Sequence, residues 1–229
     1  MARLPRMVLP GIPHHITQRG NRGERTVFED GDYALYLDLL ADAAERYGVE
    51  IWSYCLMPNH VHIIAVPRDI VALGRTFRHV HRHYTGYVNA RMRVTGHLWQ
   101  GRYSTVGMDE HHLFAALRYV ALNPVRARLA ARPEDWAWSS VYAHFAGQDD
   151  QVVKVAPALE RIGDFRAFPG EPFDEAFTYA ALRHAETIGR PVGSPEWLED
   201  MEQQSGLALL PRKHGPKPKS NLGLTHLSP

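Results

Sequence analysis

The chain has 229 residues, of which 45% are hydrophobic and 22% are charged, and its formal net charge is +1. These values are ordinary for a soluble globular protein that is long enough for one core and an appendage. The single cysteine, Cys55, excludes an internal disulfide and fits a reducing compartment. The absence of an N-terminal apolar segment and of a run of about 18 apolar residues argues against a secretion signal and a membrane span.

Charge is distributed unevenly along the chain. Residues 68–132 contain 11 arginines and 3 acidic residues, a net of +8, whereas residues 133–202 contain 5 basic and 14 acidic residues, a net of −9. A basic block of this kind is typical of a surface that binds a polyanion such as a nucleic acid. The alternative explanation of the block is a solvated helix face.

The first third of the chain predicts three strands and one helix. The helix carries apolar residues at i, i+4 spacing, and two of the strands are joined by a tight turn. We expect strands over 14–19, 49–56 and 60–67, and a helix that is N-capped by Asp30 or Asp32, runs to about Tyr47 and is stopped by Gly48.

The next stretch predicts two more helices and a further strand, over 70–92, 109–122 and 97–106 respectively. The step from Asn123 to Pro124 should end the second helix, because the residue before a proline avoids the helical conformation. This order of elements predicts an α+β domain in which helices pack on a mostly antiparallel sheet.

We expect residues 148–210 to form a small helical extension behind a main domain that spans residues 1–147. A helix over about 172–188 and a second helix between Ser194 and Gly206 resemble a helix-turn-helix. The second helix is acidic and is a poor surface for phosphates, which favours an interaction or dimer module instead. The basic tail, residues 211–229, is predicted to be disordered and to contact DNA nonspecifically.

Two histidines stand two residues apart in the strand predicted over 60–67. Alternation places His60 and His62 on one face, with Ile64 and Val66, at a Cα separation of roughly 6–7 Å. This spacing allows both imidazoles to bind one divalent cation. The alternative is that both histidines are satisfied by hydrogen bonds within the fold and have only a structural role.

The helix that begins after Asp109 carries a second pattern. Tyr119 and Asn123 share one helix face, and the Asn123 oxygen could supply a third metal ligand. A mixed set of nitrogen and oxygen ligands suits Mg²⁺ or Mn²⁺. A phenol with a pKa of about 10 is a poor nucleophile at neutral pH, so a cation bound to a scissile phosphate would have to neutralise charge and orient the ester. Taken alone, Tyr119 is more often a packed aromatic residue.

Several segments together resemble the single-tyrosine HUH-type transposases, in particular the REP-associated tyrosine transposases of bacteria. The most specific are Met57-Pro-Asn-His-Val-His62 and Arg118-Tyr-Val-Ala-Leu-Asn-Pro-Val-Arg126, in this order. The resemblance covers residues 5–147 well and the remainder weakly. The other similar segments are Trp99-Gln-Gly-Arg-Tyr103, Asp135-Trp-Ala-Trp-Ser-Ser140 and Gly189-Arg-Pro-Val-Gly193.

The resemblance implies a ferredoxin-like antiparallel sheet that carries the metal histidines, with the tyrosine on an adjacent helix. It implies single-strand DNA cleavage that leaves a 5′-phosphotyrosine and a free 3′-OH, with Tyr119 as nucleophile. His60, His62 and Asn123 would bind Mg²⁺ or Mn²⁺. The expected partner is single-stranded DNA with palindromic hairpins, handled by a monomer or a homodimer in the bacterial cytoplasm, at the nucleoid and not at a membrane.

Six further residues are candidates for DNA contacts. The arginines would hold phosphates, and Trp99 or Tyr103 would stack an unpaired base, with core packing as the alternative for Trp99. The six candidates are Arg75, Arg78, Arg82, Trp99, Arg102 and Arg126.

Two other functions fit parts of the pattern. A catalytically inactive module that binds hairpin DNA or RNA would bind with or without metal and never cleave. A zinc hydrolase would need a third histidine or a carboxylate that converges with the pair, and water as the nucleophile. His79 and His83 could share a metal site, but nothing in the sequence ties them to the sheet.

Overall fold

The computed structural model describes residues 6–168 and 175–210, without the side chains of residues 175–178. The predicted basic tail, residues 211–229, lies outside the described residues. Within the described ranges, no helix is long and apolar enough to cross a membrane.

Four strands form one antiparallel sheet with the order β2-β3-β1-β4. The predicted strand over 97–106 is shorter than expected. Trp99 makes one isolated bridge to Gly20, the chain bends, and only the last residues pair with β1. The strands are β1 (His14–Arg19), β2 (Val49–Met57), β3 (His60–Pro67) and β4 (Ser104–Gly107).

Helix α1 (Asp30–Tyr47) connects β1 to β2, and helix α2 (Ala72–Met92) connects β3 to β4. Both helices pack on the same face of the sheet, with β1 and β3 as the central strands. This is the ferredoxin-like α+β arrangement, so the predicted fold class is confirmed.

The start of α1 differs from the prediction by one residue. Its cap is Glu29, and Asp32 is the third helical residue, whose carboxylate accepts the backbone N–H of Phe28 at 2.8 Å. The two acids exchange side-chain and backbone hydrogen bonds in a capping box, a reciprocal pattern that one acid at the cap could not make alone. Gly48 ends the helix in the left-handed conformation, as predicted.

Helix α3 (Glu110–Arg126) covers the other face of the sheet. Asp109 caps it as predicted, accepting the His112 N–H at 2.9 Å. The predicted end at Asn123 is wrong, because the helix continues through Pro124 for almost one more turn. Pro124 removes a single backbone donor near the helix end and is itself buried, so packing outweighs the missing hydrogen bond.

The segment at the predicted boundary packs against the sheet edge. Lys154 donates its backbone N–H to the Ile51 carbonyl at 2.7 Å, and the Tyr54 hydroxyl donates to Asp150 at 2.7 Å. Val153 is fully buried in the same core as α1 and α2. Two short helices flank this segment, α4 (Val141–Ala146) and α5 (Ala156–Ile162). The division of the chain near residue 148 stays a prediction.

The last two helices are α6 (Glu175–Ile188) and α7 (Pro195–Ser205). Helix α6 contributes Tyr179 and Leu182 to the apolar cluster that α3 forms on the sheet. Ser194 caps α7, and Gly206 ends it, as the sequence predicts. The extension therefore brings new side chains to the α3 face of the sheet.

Candidate active site

The two motif histidines lie at the start of β3 on the face that α3 covers. Their ring centroids are 4.9 Å apart, with His62 buried and His60 half-buried. Ile64, two residues on, packs in the α3 cluster, whereas Val61 and Ile63 pack under α1 and α2. Strand alternation alone accounts for this division.

The neighbours of His60 fix where its proton sits. The Asn59 side-chain amide donates to the Gly23 carbonyl at 2.9 Å, so its oxygen faces the His60 Nδ1, 2.6 Å away. An amide oxygen can only accept, and Nδ1 must therefore carry the proton. The Nε2 of the neutral ring then keeps its lone pair, which is the form that binds a metal.

Burial keeps both histidines neutral. It lowers the pKa of His60 to about 4, and the nearby Arg19 charge acts in the same direction. Burial, with His15, His60 and Arg19 as neighbouring charges, lowers the pKa of His62 well below its ordinary value. Neutral imidazoles at physiological pH are what ligation of a divalent cation requires.

Helix α3 brings Tyr119 to the histidine pair. The Tyr119 ring stands edge-on to His62 with 5.1 Å between ring centroids, and it remains partly exposed. Asn123 follows one turn later, is 8% exposed, and its amide nitrogen finds no hydrogen-bond partner among the described residues. The unpartnered atom is a donor, so it calls for an acceptor such as a phosphate oxygen, whereas the Asn123 oxygen is the atom that can bind a cation.

Charges of both signs surround the Tyr119 hydroxyl. Burial raises its pKa above the ordinary value, and Glu186 adds to the rise, whereas Arg126, Arg183 and Arg19 oppose it. The Arg126 guanidinium lies 5.1 Å from the centre of the Tyr119 ring. The phenol is thus protonated at neutral pH, with three cations near enough to favour the phenolate.

Sequence analysis missed three residues of this cluster. His15 on β1 has its Nε2 3.0 Å from the His62 Nδ1, and Glu186 on α6 has a carboxylate oxygen 3.1 Å from the His15 Nδ1. Donor atoms of His15, His62 and Glu186 all lie within 4.8 Å of one another. Arg19 pairs across from His60. Alternation along β1 could have placed His15 and Arg19 on one face, but nothing local points to Glu186.

The predicted DNA contacts are divided between the two faces. Arg126 lies at Tyr119, and the exposed Arg102 lines a polar groove with Arg19 beside β1. The other three arginines, Arg75, Arg78 and Arg82, are exposed on α2, on the opposite side of the sheet. The structure therefore brings only part of the predicted set near the tyrosine.

Trp99 is 8% exposed and packs against Tyr36, Tyr84 and His81 in the core under α2. Tyr103 is similarly buried, with the Arg6 guanidinium 3.8 Å from its ring centre. Of the two alternatives for Trp99, the structure favours core packing over base stacking, because its ring faces are already covered.

A protein-family model matches part of the chain. Residues 13–123, just under half of the chain, match the model described as "Transposase IS200 like". Over this stretch the chain is similar to IS200-like transposases. The matched stretch begins at β1 and ends at Asn123, so it contains the histidine pair and Tyr119.

One solved structure supports the same fold, and a second gives a weaker alignment. A REP-associated tyrosine transposase bound to a REP hairpin aligns with a TM-score of 0.54 at 18% identity, covering 68% of this chain and 93% of that chain. A putative transposase from Deinococcus radiodurans R1 aligns with a TM-score of 0.37 at 18% identity, covering 52% and 95%. Among curated proteins, no sequence matches.

Proposed function

We propose that this protein is a single-strand DNA transesterase, a transposase that cleaves and rejoins DNA at hairpin-forming repeats through a 5′-phosphotyrosine. The observation that carries the proposal is the position of Tyr119, partly exposed and 5.1 Å from His62 on the histidine face of the sheet. A tyrosine packed wholly in the core could not serve as a nucleophile.

His60, His62 and Asn123 are the residues that would hold Mg²⁺ or Mn²⁺. Their fit to a cation rests on two neutral imidazoles and on the amide oxygen of Asn123, one helical turn from Tyr119. When bound, the cation neutralises charge on the scissile phosphate and orients it for in-line attack.

The transfer conserves bonds and needs no external energy source. The Tyr119 oxygen loses its proton and forms a bond to phosphorus, while the bond from phosphorus to the 3′ oxygen breaks and that oxygen takes up a proton. Arg126, Arg183 and Arg19 favour the phenolate electrostatically. Because one phosphate ester replaces another, a 3′-OH can reverse the step and rejoin DNA without ATP.

Hairpin-forming single-stranded DNA is the substrate class that the charges support. Arg102 and Arg19 line a groove beside β1, and Arg75, Arg78 and Arg82 extend the basic surface around α2. The structural relative that binds a REP hairpin supports the same substrate for this chain. We propose that a monomer or a homodimer binds such hairpins.

The decisive test is the covalent adduct. A single-stranded oligonucleotide that folds into a hairpin with flanking single strands is incubated with the full chain and Mn²⁺, and denaturing gels detect DNA bound to protein. We expect an adduct with the wild type, and none with Tyr119→Phe or after chelation of the metal. Tyr142→Phe is the matched control, because that tyrosine is 75% exposed on α4. An adduct formed by Tyr119→Phe would remove Tyr119 as the nucleophile.

A zinc hydrolase is the second candidate, because Glu186 is the converging carboxylate that this function requires. It predicts metal-dependent hydrolysis that persists in Tyr119→Phe and leaves no DNA on the protein. The same gels distinguish the two functions, since hydrolysis releases both fragments.

A further inference from the structure

We infer that His15 and Glu186 are positioning residues that fix the proton of His62 on Nδ1 and leave its Nε2 lone pair for the metal. The inference rests on the proposed function, since it concerns the metal histidine of that site. It adds a residue from α6, outside the family-matched residues 13–123.

The register of the sheet places His15 beside His62. On the paired strands β1 and β3, Thr17 stands opposite His62 and His15 stands opposite Ile64, so the two histidines are diagonal neighbours on one face. Their rings are nearly parallel, 17° apart, with 5.2 Å between centroids. Both are buried, so water does not compete for the 3.0 Å contact between His15 Nε2 and His62 Nδ1.

A contact between two ring nitrogens holds one proton, and Glu186 decides which ring supplies it. The Glu186 carboxylate lies 3.1 Å from the His15 Nδ1, although without the alignment of a full hydrogen bond. A carboxylate oxygen accepts only, so a protonated Nδ1 is favoured there over a lone pair. The neutral His15 ring then has its lone pair on Nε2, and His62 must donate from Nδ1.

The second motif histidine reaches the same tautomer by another route. The Asn59 amide nitrogen donates to the Gly23 carbonyl, so the Asn59 oxygen faces the His60 Nδ1 and accepts its hydrogen bond. Both histidines of the pair therefore present Nε2 with a free lone pair. Partners that orient metal-bound histidines in this way commonly change metal affinity by about 10- to 100-fold.

The backbone of Glu186 is held to the sheet. The Ser104 hydroxyl at the start of β4 donates to the Glu186 backbone carbonyl at 2.8 Å, which ties this turn of α6 to the sheet. The alternative arrangement is direct ligation by His15 and Glu186, whose donor atoms lie within reach of the His62 donor. Direct ligation would need the His15–His62 hydrogen bond to break.

The first measurement is the tautomer of His62 in the metal-free full chain, read from the ¹⁵N chemical shifts of its ring. We expect Nδ1 protonated and Nε2 unprotonated in the wild type, with that preference lost in Glu186→Ala and in His15→Leu. His15→Gln should restore it, because the glutamine oxygen occupies the place of Nε2 and accepts the same hydrogen bond. A merely structural role would not be rescued in this manner.

The second measurement is Mn²⁺ affinity by titration calorimetry without DNA. We expect Glu186→Ala and His15→Leu to weaken binding about tenfold or more, and His15→Gln to bind within about twofold of the wild type. Glu199→Ala is the matched control, because it removes one exposed acidic side chain on α7. If His15→Leu does not fold, the variant of Glu186, whose side chain is 22% exposed, decides the matter.

An unchanged His62 tautomer in Glu186→Ala would overturn the inference. So would loss of Mn²⁺ binding in His15→Gln as severe as in His15→Leu, which would make His15 a direct ligand. Neither readout involves DNA or Tyr119. An adduct formed by Tyr119→Phe would therefore end the proposed function while leaving the tautomer result intact.

Discussion

The two faces of the sheet are built from the same strands and serve different ends. Under α1 and α2, residues such as Ile16, Ile63 and Phe77 are fully buried and form a closed apolar core. Under α3 and α6, the apolar cluster gives way to His15, His62 and Tyr119, which contact one another. Alternation along each strand thus separates stability from chemistry within a few ångströms.

Neighbouring histidines show the difference most clearly. His14 points under α1 and α2, donates from Nδ1 to the Ile12 carbonyl at 2.7 Å and accepts the Leu9 N–H on Nε2 at 3.2 Å. Both of its nitrogens are used. His60 and His62 have a partner on Nδ1 only, among the hydrogen bonds of the described residues. A buried histidine is a metal-ligand candidate when one ring nitrogen is left over, and burial alone does not make it one.

The largest expected effect concerns the α1/α2 face. Phe77→Ala removes a fully buried ring that packs against Tyr103, and we expect the free energy of unfolding to fall by about 3–5 kcal/mol. Adduct formation per folded molecule should be unchanged, because the ring faces away from Tyr119. Denaturant titration measures the loss, and Ile70→Ala, at a 67% exposed position, is the control. If Phe77→Ala formed less adduct per folded molecule than the wild type, the separation of the two faces would be contradicted.

Acid should destabilise the protein through His14. Burial lowers its pKa to about 4 from an ordinary 6.5, so between these values the unfolded state binds the proton more strongly. Its stabilising contribution is complete above pH 6.5 and is lost as the pH falls towards 4, at up to about 1.4 kcal/mol per unit and about 3 kcal/mol in all.

The measurement is denaturant titration of the wild type and His14→Gln across this range. The difference between their free energies of unfolding should be constant above pH 6.5. Below pH 6.5 the free energy of unfolding of the wild type should fall relative to that of the variant. A difference that stays constant down to pH 4 would show that His14 is not the group responsible.

The smallest expected effect is on DNA binding by the distant arginines. Arg78→Ala on α2 should weaken hairpin binding modestly and lower the slope of log K against log salt by about 0.7–0.9, the release from one phosphate contact. The adduct rate at saturating DNA should not change, since α2 lies on the other side of the sheet.

Arg132→Ala is the control for that variant, because its guanidinium is already paired with Glu134 and Asp135. An unchanged salt slope in Arg78→Ala would place the hairpin away from α2. A lower adduct rate at saturation would mean that the two faces are coupled through the DNA.

Much of the fold follows from local patterns. The hairpin of β2 and β3, the Gly48 and Gly206 helix ends and the Asp109 and Ser194 caps are all predicted from residues within a few positions. Such features depend on backbone conformations that particular residues favour wherever the chain is placed. The predicted end of α3 was wrong, because tertiary packing outweighed the local preference of the residue before Pro124.

Within the site, the sequence determined that His60 and His62 share one strand face and that Tyr119 and Asn123 share one helix face, because both periodicities are properties of the backbone. Only the tertiary structure decided that His15 lies against His62 and that Glu186 reaches His15, since strand register and the docking of α6 depend on contacts distant in sequence. It also placed Trp99 in the core and the α2 arginines on the far face. Burial at those positions is set by the packing of whole elements, which no short motif encodes.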